Sequence, residues 1–281
     1  MGEAQLNALA DAIARHALAW LLIATLVLLA IAFVAWRAIE RHAPRLVERI
    51  APHWARLDRH RFAARYLGWH AAAAFVAVGL AAGGFAELAE HLGADQTLVA
   101  FDTTFTAALG RHIGPQLLQA MSIVTHLGDT SVLTGLVVTA AAVLLLRRRT
   151  TLAASFALAA AGGGLLIRTM KAVFERTRPE RLHDLSPVHG YSFPSGHAAG
   201  SMLVYGLGAY LLIRHLPRTW HLPTGAVALL LIVTVGASRV LLQVHYASDV
   251  LAGWMLAASW GALCVAGYEG VRLSGLRRSP R

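Results

Sequence analysis

Long apolar runs, separated by short stretches rich in arginine, dominate the chain. Each run approaches the roughly 20 residues that an α-helix needs to cross the hydrocarbon core of a bilayer. We predict seven membrane spans: Ala17–Trp36, Leu67–Phe85, Thr130–Leu146, Thr151–Thr169, Pro194–Ile213, Thr224–Leu242 and Val250–Tyr268. The pattern therefore predicts an all-α fold, a polytopic membrane helix bundle.

The stretch between the first two predicted spans, residues 37–66, is basic. Arg37, Arg41, Arg45 and Arg49 are spaced four apart, which places them on one face of a helix. Two interpretations stay open. The stretch is either an interfacial helix that contacts anionic lipids or only a topology signal.

The composition agrees with a membrane protein. Of the 281 residues, 57% are hydrophobic and 14% are charged, against about 25% charged residues in soluble domains. The single cysteine, Cys264, excludes an intrachain disulfide. The formal net charge of +10 comes from arginines clustered between apolar runs, a pattern that favours membrane topology over nucleic-acid binding.

The basic clusters predict the orientation of the chain. Seven spans place four clusters on one side of the membrane: Arg37–Arg65, Arg147–Arg149, Arg214–Arg218 and the C-terminal arginines. Because basic loops stay in the cytoplasm, the N-terminus is expected outside and the C-terminus inside. Five cations remain near the outer face against this tendency: Lys171, Arg176, Arg178, Arg181 and Arg239. Their position suggests that they bind an anion.

A helix start at the head of the fifth span provides a candidate phosphate site. In Pro194-Ser195-Gly196-His197, Ser195 is a favoured N-cap residue and proline is common in a first helical turn. Free N–H groups near Ser195, Gly196 and His197 would bind phosphate. His197 would then lie beside the anion, placed to give or take a proton. The alternative is capping chemistry alone.

A second candidate is the pair Lys171 and Arg178. They are seven residues apart and share a face if the helix continues, and Pro179 is predicted to end that helix at Arg178. Both side chains then converge on one group beyond the helix end, where arginine suits bidentate phosphate binding. The alternative is a pair of snorkelling residues at the membrane interface.

A third candidate is the pair His245 and Asp249, four residues apart and thus neighbours on one helical face. A carboxylate bonded to one ring nitrogen leaves the other nitrogen as a nucleophile. The alternative is a structural pair that caps a span. Asp129, just before the third span, is a weaker candidate that we expect either to contact the active-site loop or to cap the helix.

Together these residues resemble the type 2 phosphatidic acid phosphatase superfamily, which also contains vanadium haloperoxidases. Its three-part pattern is matched by Lys171…Arg178-Pro179, by Pro194-Ser195-Gly196-His197 and by Ser238-Arg239…His245…Asp249. The resemblance implies a six-span phosphatase core over residues 67–268. Residues 1–66 are then an extra span with its basic segment, and residues 269–281 are a basic cytoplasmic tail.

The resemblance also implies a mechanism without metal or cofactor. His245 attacks phosphorus, Asp249 orients it, and His197 protonates the leaving oxygen and later activates water. The phosphoryl oxygens are held by a second group of residues: Lys171, Arg178, Ser195, Gly196 and Arg239.

The expected protein is a lipid phosphatase of a bacterial cytoplasmic (inner) membrane with its site near the periplasmic face. Its expected partners are the bilayer and a lipid phosphate, and the oligomeric state is left open. The candidate substrates are undecaprenyl diphosphate, phosphatidylglycerophosphate, phosphatidic acid and lipid A phosphate. The alternatives are a non-enzymatic lipid-phosphate binding or transport protein and, on weaker grounds, a vanadate-dependent haloperoxidase.

Overall fold

The structure, a computed structural model, describes residues 2–31, 33–34, 37, 78–92, 96–183 and 188–278. Within these ranges all regular structure is helical. The α-helices are α1 Glu3–Arg15, α2 Ala17–Ile31, α3 at residues 78–92, α4 Gln96–His112, α5 Pro115–Val124, α6 Thr130–Leu146, α7 Thr150–Phe174, α8 Gly196–Ile213, α9 His221–Leu241 and α10 Ala247–Arg278. Short 3₁₀ turns, Thr125–Gly128 and Arg218–Trp220, precede α6 and α9.

The described helices contain four to six candidate membrane spans. Four are long and apolar enough alone, namely α7, α8, α9 with its 3₁₀ turn, and α10 as far as Arg272. Two bent pairs bring the number to six: α1 with α2, bent by 73°, and Pro115–Gly128 with α6, bent by 40°. Most of the predicted second span and of the basic segment Arg37–Tyr66 lies outside the described residues, so the count of seven stays a prediction.

Several predicted element ends differ from the structure. The fifth span begins at Gly196, and Pro194 precedes the N-cap Ser195. α7 ends at Phe174 because Glu175 turns into the left-handed region with φ +46°, so Pro179 does not end it. His245 precedes α10 and is not on a helix with Asp249.

Helix α8 lies at the centre of the bundle and packs against α6, α7, α9 and α10. Its buried Ala199, Leu203 and Leu207 meet Phe156 of α7 and Ala257 of α10. Large apolar side chains on the same helices face outward: Leu146, Leu158, Leu165 and Leu263 are at least half exposed. Large apolar residues on the outside as well as in the core are expected where lipid surrounds the bundle.

The N-terminal helix α1 packs on α4, so the described start of the predicted extra segment contacts the bundle. Ala14 of α1 contacts Ala108 and Leu109 of α4 in one buried cluster. Asp11 of α1 forms ion pairs with Arg111 and His112 at the end of α4. These contacts attach the chain's N-terminal helix to the end of the bundle that carries the site.

We predict that Gly253→Ala destabilises the protein, because α8 and α10 approach closely at this point. A methyl group at Gly253 would lie 2.7 Å from the Ser195 carbonyl oxygen and 3.2 Å from the Ala199 nitrogen. Relieving this overlap costs about 1–3 kcal/mol. Thermal unfolding in detergent should show a lower midpoint.

Gly206→Ala on α8 is the matched control, because an added methyl group there has no neighbour within 4 Å. Its midpoint should stay unchanged or rise, since alanine favours a helix. Equal midpoints for Gly253→Ala and the wild type would show that α8 and α10 do not fit as closely as described.

Candidate active site

Four helix ends meet at one side of the bundle and carry the predicted site residues. Lys171 lies in the last turn of α7, and Ser195 caps the start of α8. Arg239 lies in the last turn of α9, and Asp249 in the first turn of α10. The structure therefore brings together residues that the chain separates by up to 78 positions, as the three motifs predict.

The Asp249 carboxylate lies at the centre of the hydrogen-bond network of this site and is fully buried. Its Oδ1 accepts a hydrogen bond from Arg176 Nη1 at 2.7 Å. Its Oδ2 accepts from the Ser192 hydroxyl, from the Tyr246 N–H at 2.9 Å and from His245 Nδ1 at 3.3 Å. A buried carboxylate with this many donors is held in its ionised form.

His245 is held between an acceptor and a donor, which fixes its tautomer. Asp249 Oδ2 accepts from Nδ1, while Arg178 Nη1 lies 3.1 Å from Nε2. Because a guanidinium only donates, Nε2 must present its lone pair. Burial lowers the pKa of His245 to about 3, so the ring is neutral at ordinary pH. The arrangement is that of a nucleophilic nitrogen.

The three predicted phosphate-binding cations lie close enough for their charges to repel one another. Arg178 is tied to the carbonyls of Gly190 and Val244, and Lys171 Nζ donates to the Tyr191 carbonyl at 2.6 Å. Burial lowers the pKa of Arg178. Arg239 is buried and the other two cations are half-buried, and such a cluster favours an anion at this place.

The start of α8 closes the site on the other side. Ser195 Oγ accepts from the Ala198 N–H at 3.4 Å, which is N-cap geometry, and the Ser195 N–H donates to the Asp249 carbonyl at 2.9 Å. Gly196 and His197 form the first turn, where N–H groups lack helical partners. Phosphate binding by this turn remains a proposal.

Asp129 contacts His197 at the start of α8, in agreement with the hypothesis that it contacts the active-site loop. Its Oδ1 lies 2.9 Å from His197 Nε2, and its Oδ2 lies 2.7 Å from His126 Nδ1. Asp129 therefore orients His197 as Asp249 orients His245. The expectation of capping is only partly met, because Asp129 occupies the N-cap position of α6 without a side-chain cap hydrogen bond.

Next to His245 and Asp249 lies an ion-pair network that the motifs did not predict. Arg176 Nη2 donates to Asp102 Oδ2 at 2.8 Å while its Nη1 holds Asp249. Asp102, on α4, is 1% exposed and also accepts from the Ser248 hydroxyl. The guanidinium lies over the Tyr246 ring at 4.1 Å. Asp102 and Arg176 thus fix Asp249 from the side opposite His245.

Some of these residues left a signal in the sequence and others did not. Arg176 is one of the five cations predicted near the outer face, where membrane topology disfavours basic residues. This position indicated that it binds an anionic group. Nothing in the local pattern singled out Ser192 or Gln243. Gln243 takes a left-handed conformation with φ +55° and its amide donates to the Thr106 carbonyl at 2.9 Å, which places the loop before His245.

The comparisons with known proteins agree with the three motifs. The model of the PAP2 superfamily matches residues 149–272. Phosphatidylglycerophosphatase B of Bacillus subtilis (strain 168) is 37% identical over 151 residues, which are 50% of this chain and 70% of the relative. This chain belongs to the PAP2 superfamily. The family predicted from the motifs is confirmed.

A solved structure supports the same conclusion for the PAP2 fold. The crystal structure of a transmembrane PAP2 type phosphatidylglycerolphosphate phosphatase from Bacillus subtilis aligns with a TM-score of 0.64 and 31% identity. It covers 69% of this chain and 96% of its own. Aquifex aeolicus LpxE aligns with a TM-score of 0.44 and 24% identity over 56% of this chain and 89% of its own.

The family membership confirms the prediction of an enzyme, a membrane-integral lipid phosphatase. The all-helical prediction agrees with the described residues and with the aligned PAP2 structure. The PAP2 match begins at the start of α7, so Asp102 on α4 lies outside it. The network around Arg176 therefore joins the PAP2 segment to a helix that precedes it.

We predict that Asp102→Asn lowers both turnover and stability. The substitution removes the Asp102 charge from a buried network and weakens the hydrogen bond from Arg176, which keeps Asp249 and Ser248, so the cost is about 1.5–3 kcal/mol. Lipid phosphatase activity and the thermal midpoint in detergent should both fall. Glu90→Gln, on the exposed side of α3, is the control and should change neither. An Asp102→Asn protein with wild-type values in both measurements would contradict this account of the network.

Proposed function

We propose that this PAP2 protein removes the terminal phosphate of a membrane lipid through a phosphohistidine on His245. One observation carries the proposal. The Nε2 lone pair of a neutral, buried imidazole lies beside Arg178, while the Nδ1 proton faces the Asp249 carboxylate. In this arrangement the same ring nitrogen that attacks phosphorus lies next to a cation that binds the phosphoryl oxygens.

In the first step, His245 Nε2 forms a bond to phosphorus while the bond from phosphorus to the leaving oxygen breaks. His197 gives a proton to that oxygen, so the lipid product leaves as a neutral alcohol or a shorter phosphate. The ring of His245 becomes cationic, and Asp249 stabilises that charge through Nδ1. Lys171, Arg178 and Arg239, with the first turn of α8, neutralise the phosphoryl oxygens.

In the second step, water attacks phosphorus and the bond to Nε2 breaks. His197, now neutral, takes the proton from water, and inorganic phosphate leaves. Asp129 holds His197 at Nε2, which leaves Nδ1 as the nitrogen that exchanges the proton with the reacting oxygen. Each histidine thus works against its own carboxylate, and both return to their starting states.

The arrangement of basic residues supports a site on the outer face. The site lies at the end of the bundle where α7 and α9 finish and α8 and α10 begin. The opposite end carries Arg147–Arg149 between α6 and α7, and Arg214 and Arg218 between α8 and α9. Basic loops stay in the cytoplasm, so the site is assigned to the opposite, periplasmic face.

A cavity of about 600 Å³ between α6, α7 and α8 supports a lipid substrate. Lys171, Gly196 and His197 line its polar end, so it opens directly into the phosphate site. Most of the remainder is lined by small and apolar residues: Gly128, Leu133, Val137, Ala157, Ala160, Ala161, Gly164, Leu165, Ile167, Gly200, Leu203 and Val204. Thr130, Thr134 and Arg168 add polar groups to the lining. Such a lining suits a hydrocarbon chain whose head group lies at His245.

The substrate candidates are undecaprenyl diphosphate, phosphatidylglycerophosphate, phosphatidic acid and lipid A phosphate. The names of the Bacillus subtilis relatives favour phosphatidylglycerophosphate. Carrier recycling at an outer face favours undecaprenyl diphosphate by analogy. Both have a terminal phosphate joined to a lipid that ends in long hydrocarbon chains.

The proposal predicts a phosphohistidine that accumulates when its hydrolysis is blocked. In His197→Ala the water of the second step has no base, whereas attack by His245 on a substrate with a good leaving group still proceeds. Rapid quenching with ³²P-labelled substrate, in the presence of EDTA, should give a protein adduct that is labile to acid and stable to base. His197→Ala with His245→Asn should give none.

Phosphate release from the four candidate lipids by the wild type in EDTA completes the test. The proposal is supported if the wild type releases phosphate, if His197→Ala and His245→Asn each lose this release, and if the adduct forms on His245. An adduct that persists without His245 would contradict the assigned nucleophile. Lipid binding by folded protein without any release would instead favour the binding or transport alternative.

A further inference from the structure

An additional cation, Arg168, lines the lipid cavity and belongs to none of the three motifs. It lies on α7, and its side chain is accessible. Among the described residues it has no hydrogen-bond or ion-pair partner. The phosphate-binding cations of the site, by contrast, are tied to the surrounding carbonyls or hydroxyls. Arg168 is therefore a charge whose partner is still to be assigned.

The helix geometry places Arg168 next to the catalytic phosphate and deeper in the bundle. It lies three positions before Lys171, so the two side chains are neighbours on one face of α7. The rise of a helix puts Arg168 about 4.5 Å further from the end that carries the site. A substrate that extends from His245 into the cavity must pass it.

The same face of α7 continues as a groove of small residues. Ala157, Ala161 and Gly164 precede Arg168 at helical spacing, and all line the cavity. The lining thus changes along α7 from small residues through Leu165 and Ile167 to Arg168 and then to Lys171. This order matches a lipid with hydrocarbon, then a first anionic group, then a terminal phosphate.

We propose that Arg168 binds a second, lipid-proximal phosphate, so that the site prefers lipids with two phosphate groups. In phosphatidylglycerophosphate this group is the phosphodiester, and in a prenyl diphosphate it is the phosphate attached to the chain. Phosphatidic acid has a single phosphate, which would be bound by His245 and the cations around it. Arg168 is a specificity residue in this assignment, which rests on the proposed function of the site.

The chemistry of the position favours this assignment. A guanidinium facing a cavity of small and apolar residues is costly unless an anion or water pairs with it. Arginine also matches the oxygens of a phosphate with two parallel hydrogen bonds. The other use of a long cation at a membrane, snorkelling toward the interface, would contribute equally to all lipids. Selectivity between substrates therefore distinguishes the two roles.

The test compares pairs of substrates that share a hydrocarbon part. Phosphatidylglycerophosphate is compared with phosphatidic acid of the same acyl chains, and farnesyl diphosphate with farnesyl phosphate. For each pair, kcat/KM is measured with full-length protein in mixed micelles. In Arg168→Gln, the preference for the lipid with two phosphates should fall on the order of ten- to a hundredfold, mainly through KM.

Two further variants separate charge from other effects. Arg168→Lys keeps the charge but not the paired hydrogen bonds, and should keep an intermediate preference. Arg147→Gln removes an exposed arginine at the opposite end of the bundle and should leave the preference unchanged. An equal loss for both members of each pair in Arg168→Gln, or no loss, would overturn the assignment and leave Arg168 as an interfacial residue.

The wild type distinguishes this inference from the proposed function. Phosphate release from both members of a pair with equal kcat/KM contradicts the second-phosphate site but leaves the phosphatase mechanism intact. No release from either member by folded protein contradicts the proposed function itself.

Discussion

The Asp249 carboxylate has no exposure to solvent, and the donors around it arrange the rest of the site. An unpaired carboxylate in such a position would cost several kcal/mol, so Arg176, Ser192 and the Tyr246 N–H are required where they lie. The same carboxylate orients His245, and the Asp249 carbonyl accepts from Ser195 at the start of α8. One residue therefore sets the position of His245 relative to the helix that is proposed to bind phosphate.

The bundle combines this polar centre with a surface made for lipid. Large leucines face outward, while buried serines, aspartates and arginines face one another at the ends of α7 to α10. The cations near His245 repel one another, and the proposed anionic head group would relieve that repulsion. The adjoining cavity is lined by residues suited to a hydrocarbon chain. Substrate recognition thus follows from where the charges are placed and where the bundle leaves space.

The motif residues could be predicted because each follows from local chemistry near a helix end. Ser195 has the preferences of an N-cap. The contact between His245 and Asp249 was predicted from their spacing, although His245 makes it from the loop before α10 and not from a shared helical face. The Asp102–Arg176 pair could not be predicted, since its partners are 74 residues apart and their meeting depends on how α4 packs. The predicted end of α7 was also wrong. The helix ends in a left-handed turn at Glu175, and a glutamate gives no sequence signal for that conformation.

The most direct measurement of the central claim is the protonation state of His245. Protein with ¹⁵N-labelled histidines, compared in detergent with His245→Asn, assigns the ring nitrogens of this residue. Since burial lowers the pKa of His245 to about 3, the ring should be neutral at pH 5, with its proton on Nδ1 and a lone pair on Nε2. A cationic ring at pH 5, or a proton on Nε2, would contradict the assignment of His245 as the nucleophile positioned by Asp249.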